Sequence, residues 1–139
     1  MIEQSHFHIA IKGLVTYQGK FLILKRPQRH GETESYWELP GGGLSFREAP
    51  ETALKRELTE EVALEVKVVQ PIHVWNRMKN ETTQIIGITF LCESESDEVK
   101  ISHEHLDYAW ISPNEQEKYN LLPDLKADMD QWDWSKVLK

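Results

Sequence analysis

The sequence predicts one domain of the α/β or α+β class, because segments with strand periodicity flank a clear amphipathic helix. Apolar and polar residues alternate over residues 6–16, which is the period of a half-buried strand. Apolar residues instead recur at helical spacing at Leu54, Leu58 and Val62. The 139 residues contain no repeat, low-complexity segment or linker, so we expect a single domain over residues 1–139.

The first third of the chain predicts a β-hairpin and a long loop. Residues 20–25 are mostly apolar and follow a turn signal at 18–19, so we expect them to return alongside the first strand. The polar residues 27–35 lack periodicity and predict a loop. Three glycines follow at 41–43, where the chain must turn sharply or approach another group closely.

A proline opens the helix, since Pro50 loses nothing at a first helical position, where its missing N–H would be unpaired anyway. We expect the helix to span residues 50–63, with Glu51 favoured by the positive end of the helix dipole. Ala49 precedes the helix and has no side chain that can cap it. We therefore expect Glu48 to act as the cap.

The second half of the chain predicts three more strands and two helical pieces. Residues 65–76 and 83–92 are β-branched and apolar, and residues 79–81 have the composition of a hairpin turn. An acidic loop is expected over residues 93–104. The remaining expectations are a strand over 105–111, a short helix over 113–119 and a last helical piece over 125–137.

Composition argues against several functional classes. The formal net charge is −7 at pH 7, whereas general nucleic-acid binders usually present a basic surface. No apolar run is long enough to span a membrane, and the first residues lack the pattern of a secretory signal. Cys92 is the only cysteine, which rules out an internal disulfide and favours a reducing compartment. We therefore expect a cytoplasmic protein that binds neither membranes nor nucleic acid in general.

Three glutamates share one arc of the helix. Glu57, Glu60 and Glu61 lie within roughly 100° of its circumference, beside the apolar stripe rather than opposite it. Glutamates at helical spacing more commonly form a solvated face, but such a face carries lysines at i+4, and Glu57 is followed there by Glu61. Like charges beside a buried stripe are costly unless a cation neutralises them. The pattern is typical of oxygen ligands that hold Mg²⁺ or Mn²⁺.

The residues around these glutamates form a spaced motif. Gly42 is followed by five residues, Glu48, seven residues and then Arg-Glu-Leu-Thr-Glu-Glu-Val-Ala-Leu over 56–64. This motif resembles the Nudix box, and the preceding Trp-Glu-Leu-Pro-Gly-Gly resembles the family's approach to it. Every position agrees except Ala63, where the family has glycine. Because alanine is costly in the left-handed conformation that ends many helices, we expect the helix to end differently or to run slightly longer.

The resemblance implies a fold, an activity and a metal site. A Nudix domain is an α/β/α sandwich with a mixed β-sheet, in which the box forms a loop–helix–loop catalytic segment. The implied activity is Mg²⁺- or Mn²⁺-dependent hydrolysis of a phosphoanhydride bond. By position, Glu57, Glu60 and Glu61 are similar to the metal-binding glutamates, and the carbonyl of Gly42 to a further ligand.

The resemblance also implies supporting and catalytic roles. Arg56 and Glu48 are similar to an ion pair that braces the loop on the helix. The residue that activates water comes either from the box, as Glu57, or from a distal loop. Glu104 is the loop carboxylate that we favour, with a solvated acid as the alternative. Together with the three box glutamates, Glu104 completes the expected catalytic set.

Substrate contacts are less specific in the sequence. Arg26 ends the second strand and is expected to bind a substrate phosphate, although a cation there is as common on a plain surface. Trp75 and Tyr36 are candidates to stack on a base, with burial in the core as the alternative. His6 and His8 show no ligand spacing and are expected to be ordinary strand residues.

Several functions stay open at this point. The expected partner is a small nucleotide-type diphosphate, and a nucleoside triphosphate, as in a MutT-like enzyme, is the default substrate. The alternatives are an ADP-ribose or nucleotide-sugar hydrolase, a catalytically silent nucleotide-binding module, and an isomerase that employs Cys92. Residues 78–82 lack the proline and the tyrosine that mark ADP-ribose and dinucleoside polyphosphate hydrolases. A homodimer is compatible with the sequence.

Overall fold

Two long strands run parallel through the middle of the sheet and organise the molecule. The structure is a computed structural model that describes residues 4–138. In chain order its elements are β1 (His6–Tyr17), β2 (Lys20–Lys25), β3 (Trp37–Glu38), β4 (Gly41–Gly43), α1 (Pro50–Val62), β5 (Val66–Met78), β6 (Thr83–Ser94), β7 (Asp107–Ile111), a 3₁₀ helix (Pro113–Lys118), α2 (Pro123–Met129) and α3 (Trp134–Val137). The parallel pair is β1 and β6, whose register runs from His6 opposite Thr83 to Thr16 opposite Glu93.

The sheet is mixed and has its strands in the order β3-β2-β1-β6-β5, with β4 paired to β1 and β7 paired to β2. Each of these pairs other than β1–β6 is antiparallel. Strand β1 changes partner along its length. It pairs with β4 at residues 10–12 and with β2 at Thr16 and Tyr17. The three glycines of β4 therefore lie beside the central strand of the sheet.

Apolar layers cover both faces of the sheet. On one face, Leu54, Leu58 and Val62 of α1 pack on Ile11 and Val15 of β1, and all five are fully buried. The other face carries the C-terminal helices over a second buried cluster. That cluster includes Leu14, Phe21, Ile23, Leu91 and Met129. The arrangement confirms the expected α/β/α sandwich.

Several boundaries differ from the expected ones, and β5 spans Val66–Met78 where 65–76 was expected. The last strand begins at Asp107 rather than at 105, because His105 is buried by a side-chain contact in the loop and not by strand pairing. The last helical piece is divided into α2 and α3, and Asp133 caps α3 by accepting a hydrogen bond from the N–H of Ser135. Strand β6 runs on to Ser94, into the stretch that was expected to be a loop.

The other local predictions are confirmed. Residues 27–35 are irregular, and 79–81 form the turn between β5 and β6. Gln18 and Gly19 form the tight turn between β1 and β2 with positive φ angles of 49° and 79°. Within residues 4–138, none of the helices is long and apolar enough to cross a membrane.

The end of α1 contradicts the expectation based on Ala63. The helix ends at Val62, and Ala63 adopts the left-handed conformation, with φ 57° and ψ 36°. Its N–H donates to the carbonyl of Thr59 at 3.2 Å. Alanine therefore terminates the helix as a glycine would, at the cost of placing a Cβ in a conformation that disfavours it.

Replacing Ala63 with glycine is expected to raise the free energy of unfolding by about 0.5 to 1 kcal/mol, because the left-handed strain is removed. The measurement is urea unfolding followed by circular dichroism. The matched control is Ala127→Gly in the interior of α2, where the same change is expected to lower stability by about as much. Equal effects of the two substitutions would contradict the assignment of strain to Ala63.

Candidate active site

The glycine strand β4 approaches α1 more closely than any larger residue would permit. Gly41 has a φ of 136°, and a Cβ there would lie 2.1 Å from the carbonyl oxygen of Ile11. A Cβ at Gly42 would lie 2.6 Å from the carboxylate carbon of Glu57. Glycine is therefore required at Gly41 for close pairing with β1, and at Gly42 for the backbone to lie against the Glu57 carboxylate of α1.

Glu61 is a buried carboxylate at this contact, with 6% of its surface exposed. Its Oε1 accepts a hydrogen bond of 2.8 Å from the N–H of Gly41. Burial raises the pKa of Glu61 to about 7, and the charge of Glu57 adds to this effect. The Gly41 N–H and the charges of Lys12 and His105 act in the opposite direction.

Arg56 braces the loop that follows β4 against α1. Its guanidinium binds both carboxylate oxygens of Glu48, with Nε at 2.8 Å and Nη2 at 2.9 Å. These hydrogen bonds lower the pKa of Glu48 and raise that of Arg56. Nη1 also lies 3.0 Å from Glu57 and 3.6 Å from Glu60. The expected ion pair is thus confirmed, whereas the expected cap is wrong, because the Glu48 carboxylate is occupied by Arg56 and no side chain caps the helix.

A second ionic cluster is centred on Glu38 in β3, which is 8% exposed. Its Oε2 lies 3.0 Å from Nε2 of His105, and its Oε1 lies 3.8 Å from both Lys12 Nζ and Arg26 Nε. Burial alone would raise the pKa of Glu38, but the charge of Lys12 and the hydrogen bond with His105 outweigh it and hold the pKa at about 2. Glu38 is therefore a carboxylate that stays ionised although it is buried.

The Glu38 cluster lines one open cleft of about 1280 Å³, and of the Arg56 cluster the carboxylates Glu57 and Glu60 line it as well. The cleft contains Gly41–Gly43 together with all three glutamates of the α1 arc. It also contains several cations and Glu104. The basic residues along it include Lys12, Arg26, Arg29 and His105.

Comparison with known proteins agrees with this geometry. A family model described as the NUDIX domain matches residues 6–133. The nucleoside triphosphatase NudI of Escherichia coli O17:K52:H18 is 34% identical over 119 residues, which cover 78% of this chain and 84% of that protein. The MutT protein of Methanosarcina mazei Go1 superposes with a TM-score of 0.77 at 24% identity, over 99% of this chain and 96% of that one. A MutT NUDIX hydrolase from Burkholderia pseudomallei gives 0.76 at 19% identity, over 90% and 97%.

This chain belongs to the Nudix family of hydrolases. The matched range includes the whole Nudix box, from Gly42 to Leu64. Ala63 is the one departure from the box, and it keeps the backbone conformation that ends the helix. The departure therefore leaves the place of the three glutamates on the Nudix helix unchanged.

The residues of the Nudix box have the chemistry that a divalent cation requires. The donors are carboxylate oxygens, and the glycine backbone leaves room for the Glu57 carboxylate beside Gly42. Among residues 4–138, however, no three acidic, histidine or cysteine side chains already form a metal-binding group. Glu60 points its side chain to solvent, at 60% exposure, and Glu57 is held by Arg56. The metal ligands Gly42, Glu57, Glu60 and Glu61 therefore stay a prediction.

The other predicted site residues occupy different environments. Glu104 is exposed and lines the cleft, and its N–H donates to Ser102 Oγ at 3.2 Å. Arg26 is 3% exposed, lines the cleft and already pairs with Glu32 at 2.5 Å. Its guanidinium also lies 5.9 Å from the ring of Tyr36. These residues are placed so that Glu104 is accessible and Arg26 is held in position.

The aromatic and histidine candidates also have defined places. Trp75 is half-buried in the cleft, where its Nε1–H donates to Thr89 and its ring covers Gly87. His6 and His8 are exposed residues of β1, as expected, and His8 lines the cleft as well.

Cys92 does not have the environment of a catalytic thiol. It is fully buried in the core beneath α1, and burial raises its pKa to about 12. A thiolate would be needed for nucleophilic or acid–base work at neutral pH. The structure therefore argues against the isomerase alternative.

Sequence reasoning did not identify Glu38, His105 or Lys12 as site residues. Glu38 and His105 are 67 positions apart, so no local pattern connects them. The available signals were indirect. Glu38 stands within the Trp-Glu-Leu-Pro approach to the box, and His105 directly follows Glu104.

The low pKa of Glu38 predicts a pH-dependent contribution to stability. Because the pKa in the folded protein lies below its ordinary value of 4.5, the contribution is present above pH 4.5 and is lost as the pH falls towards 2. Glu38→Gln is therefore expected to lower the free energy of unfolding at pH 7, on the order of 3 kcal/mol, with the difference shrinking below pH 4.5. Urea unfolding at several pH values measures it. Glu34→Gln, at an exposed position nearby, is the control. A difference in unfolding free energy between Glu38→Gln and the wild type that does not vary with pH would contradict the prediction.

Proposed function

We propose that this Nudix hydrolase cleaves a phosphoanhydride bond of a nucleoside triphosphate with the help of Mg²⁺ or Mn²⁺. The observation that carries the proposal is the burial of two box carboxylates against the glycine strand. The side chain of Glu57 is 17% exposed and Glu61 is 6% exposed, in a cleft that cations also line. The relative NudI is named a nucleoside triphosphatase, and its identity over most of both chains supports this substrate class.

Glu57, Glu60, Glu61 and the Gly42 carbonyl are the proposed ligands of the divalent cation. When bound, the cation neutralises phosphate charge and lowers the pKa of coordinated water. Arg56 Nη1 binds only Oε1 of Glu57, so Oε2 stays available to the cation, and the two hydrogen bonds to Glu48 hold the guanidinium in place.

The substrate phosphates are proposed to lie along the cationic part of the cleft. Arg26 Nε and Nη1 are buried and have no hydrogen-bond partner within residues 4–138, so a substrate phosphate that reaches them would satisfy both donors. Lys12 is fixed by the carbonyl of Leu39 at 3.1 Å. Trp75 lines the same cleft and is the residue that we assign to the base.

Water activation is assigned to Glu104. The residue is an exposed carboxylate in the cleft, whereas Glu57 and Glu61 are committed to other contacts. Phosphoryl transfer depends mainly on positioning and charge neutralisation, so a single well-placed base suffices. We place the enzyme in the cytoplasm, where the lone Cys92 would stay reduced.

The substrate class is tested with a panel of nucleoside triphosphates, ADP-ribose, nucleotide sugars and dinucleoside polyphosphates. Each is incubated with Mg²⁺, with Mn²⁺ or with a chelator, and products are separated to identify the broken bond. We expect turnover of at least one triphosphate that the chelator abolishes. Turnover of ADP-ribose or a nucleotide sugar alone would contradict the triphosphate assignment and make that compound the substrate class. No turnover of any compound would favour a silent binding module.

The metal assignment is tested by Glu61→Gln, which keeps an acceptor for Gly41 N–H but removes the charge. We expect turnover to fall by roughly 100-fold or more, because charge neutralisation supplies most of the catalysis. The circular dichroism spectrum is expected to be unchanged. Glu65→Gln, at an exposed position just beyond the helix, is the matched control and should leave turnover as it is. Wild-type turnover in Glu61→Gln would sink the assignment.

The close approach of β4 to Glu57 gives a steric test of the same site. Gly42→Ala adds a Cβ that would lie 2.6 Å from the Glu57 carboxylate carbon, so we expect that side chain to be displaced and turnover to fall by on the order of tenfold or more. Gly43→Ala meets no atom within 4 Å and is the control. The two variants are compared by steady-state kinetics, and equal activity would contradict the proposed role of the Gly42–Glu57 contact.

A further inference from the structure

The segment over residues 100–106 is fixed at both ends to elements of the active site. The N–H of Lys100 donates to the carbonyl of Val62 at 3.1 Å, and that of Ser102 to the carbonyl of Glu61 at 3.0 Å. These carbonyls belong to the last turn of α1 and have no partner within the helix. At the other end, the N–H of Leu106 donates to the carbonyl of Lys25 at 2.8 Å. The segment therefore connects the Nudix helix to the end of β2.

Glu104 lies between two anchored residues of this segment. On one side, the Oγ of Ser102 accepts a hydrogen bond from the N–H of Glu104. The carbonyl of Ser102 accepts another from the N–H of His105. On the other side, the His105 side chain is 4% exposed and its Nε2 lies 3.0 Å from Glu38 Oε2. The backbone on both sides of Glu104 is thus tied to residues of the cleft.

The buried hydrogen-bonded pair of Glu38 and His105 is not required for packing alone. A buried polar pair contributes little net stability relative to apolar residues of the same volume. Here Lys12 and Arg26 share the pair's environment, and His105 Nδ1 has no hydrogen-bond partner within residues 4–138. Unpaired buried polar groups are costly and are found where a precise position matters.

We propose that His105 is a positioning residue, which through its hydrogen bond to Glu38 holds Glu104 at a fixed place beside the Nudix helix. In the reaction, the Glu104 carboxylate takes a proton from the attacking water as the water oxygen bonds to phosphorus. The bond from phosphorus to the bridging oxygen breaks, and its electron pair leaves with the departing phosphate. This inference rests on the proposed function and on the role of Glu104 within it.

Two substitutions that differ by one methylene group separate the hydrogen bond from the bulk of the side chain. In His105→Gln the amide nitrogen can take the place of Nε2 and donate to Glu38. In His105→Asn the shorter amide takes the place of Nδ1 and cannot reach. We expect His105→Gln to keep kcat within about threefold and His105→Asn to lose about 10- to 100-fold, with KM little changed, because a small misplacement of a catalytic group costs that much. His103→Asn, an exposed histidine in the same segment, is the control.

A double-mutant cycle shows whether His105 acts through Glu104. In a Glu104→Gln background, His105→Asn is expected to lower kcat by no more than about twofold further, because the group it positions is already absent. Multiplicative losses would overturn the proposal, since they would mean that His105 acts independently. If Glu104→Gln alone leaves kcat and its pH profile unchanged, Glu104 is not the base, and the proposal is overturned while phosphoanhydride hydrolysis stands.

Hydrogen exchange gives a readout that does not depend on activity. His105→Asn is expected to accelerate exchange of the amides over residues 103–106 at least tenfold, and His105→Gln and His103→Asn are expected to leave it near the wild-type rate. Unchanged exchange in His105→Asn would overturn the proposal even if the enzyme hydrolysed none of the substrates tried. Unfolding in urea, measured on the same variants, excludes a global loss of stability as the cause of a faster exchange.

Discussion

The close contact between the glycine strand and α1 is the constraint on which the rest of the active site depends. The backbone of Gly41 and Gly42 comes so near to the helix that Glu57 and Glu61 lose most of their contact with water. Burial of two like charges is unfavourable unless hydrogen bonds or cations compensate for it. The contact is itself held by the pairing of β4 with the central strand β1, so the geometry of the carboxylates is set by the core of the sheet and not by a mobile loop.

Two ionic clusters compensate for this burial in different ways. Arg56 stands between the carboxylates of Glu48 and Glu57, and it supplies positive charge from the solvent side of α1. Glu38 is surrounded by Lys12, Arg26 and His105, and it balances cations that line the cleft. The first cluster braces the loop on the helix, while the second holds basic side chains near the place where phosphates are proposed to bind. A substrate that brings both metal and phosphate therefore meets acidic and basic groups in one cleft.

Local patterns in the sequence predicted most of the helices and strands. They did not predict the contacts between residues that are far apart in the chain. The periodicity of residues 6–16 and the spacing of Leu54 and Leu58 predicted β1 and α1, because burial of one face depends on neighbours along the chain. The pairing of Glu38 with His105 spans 67 positions and leaves no periodic trace. Ala63 was misjudged for another reason, since the hydrogen bonds from its N–H to the preceding turn hold it in a conformation that its intrinsic preference disfavours.

The difference between local motifs and long-range contacts also separates the Nudix box, which the family shares, from the features that are particular to this chain. The box glutamates lie on a rigid helix, and their arrangement follows from a short motif that can be recognised in sequence. The proposed base, Glu104, lies instead on the segment over residues 100–106, whose position is decided by hydrogen bonds to α1, β2 and β3. Those bonds are made partly by backbone groups, which any residue supplies, and partly by His105, which only a few side chains can replace. Substrate choice can therefore change through such segments while the box and the sheet remain as they are.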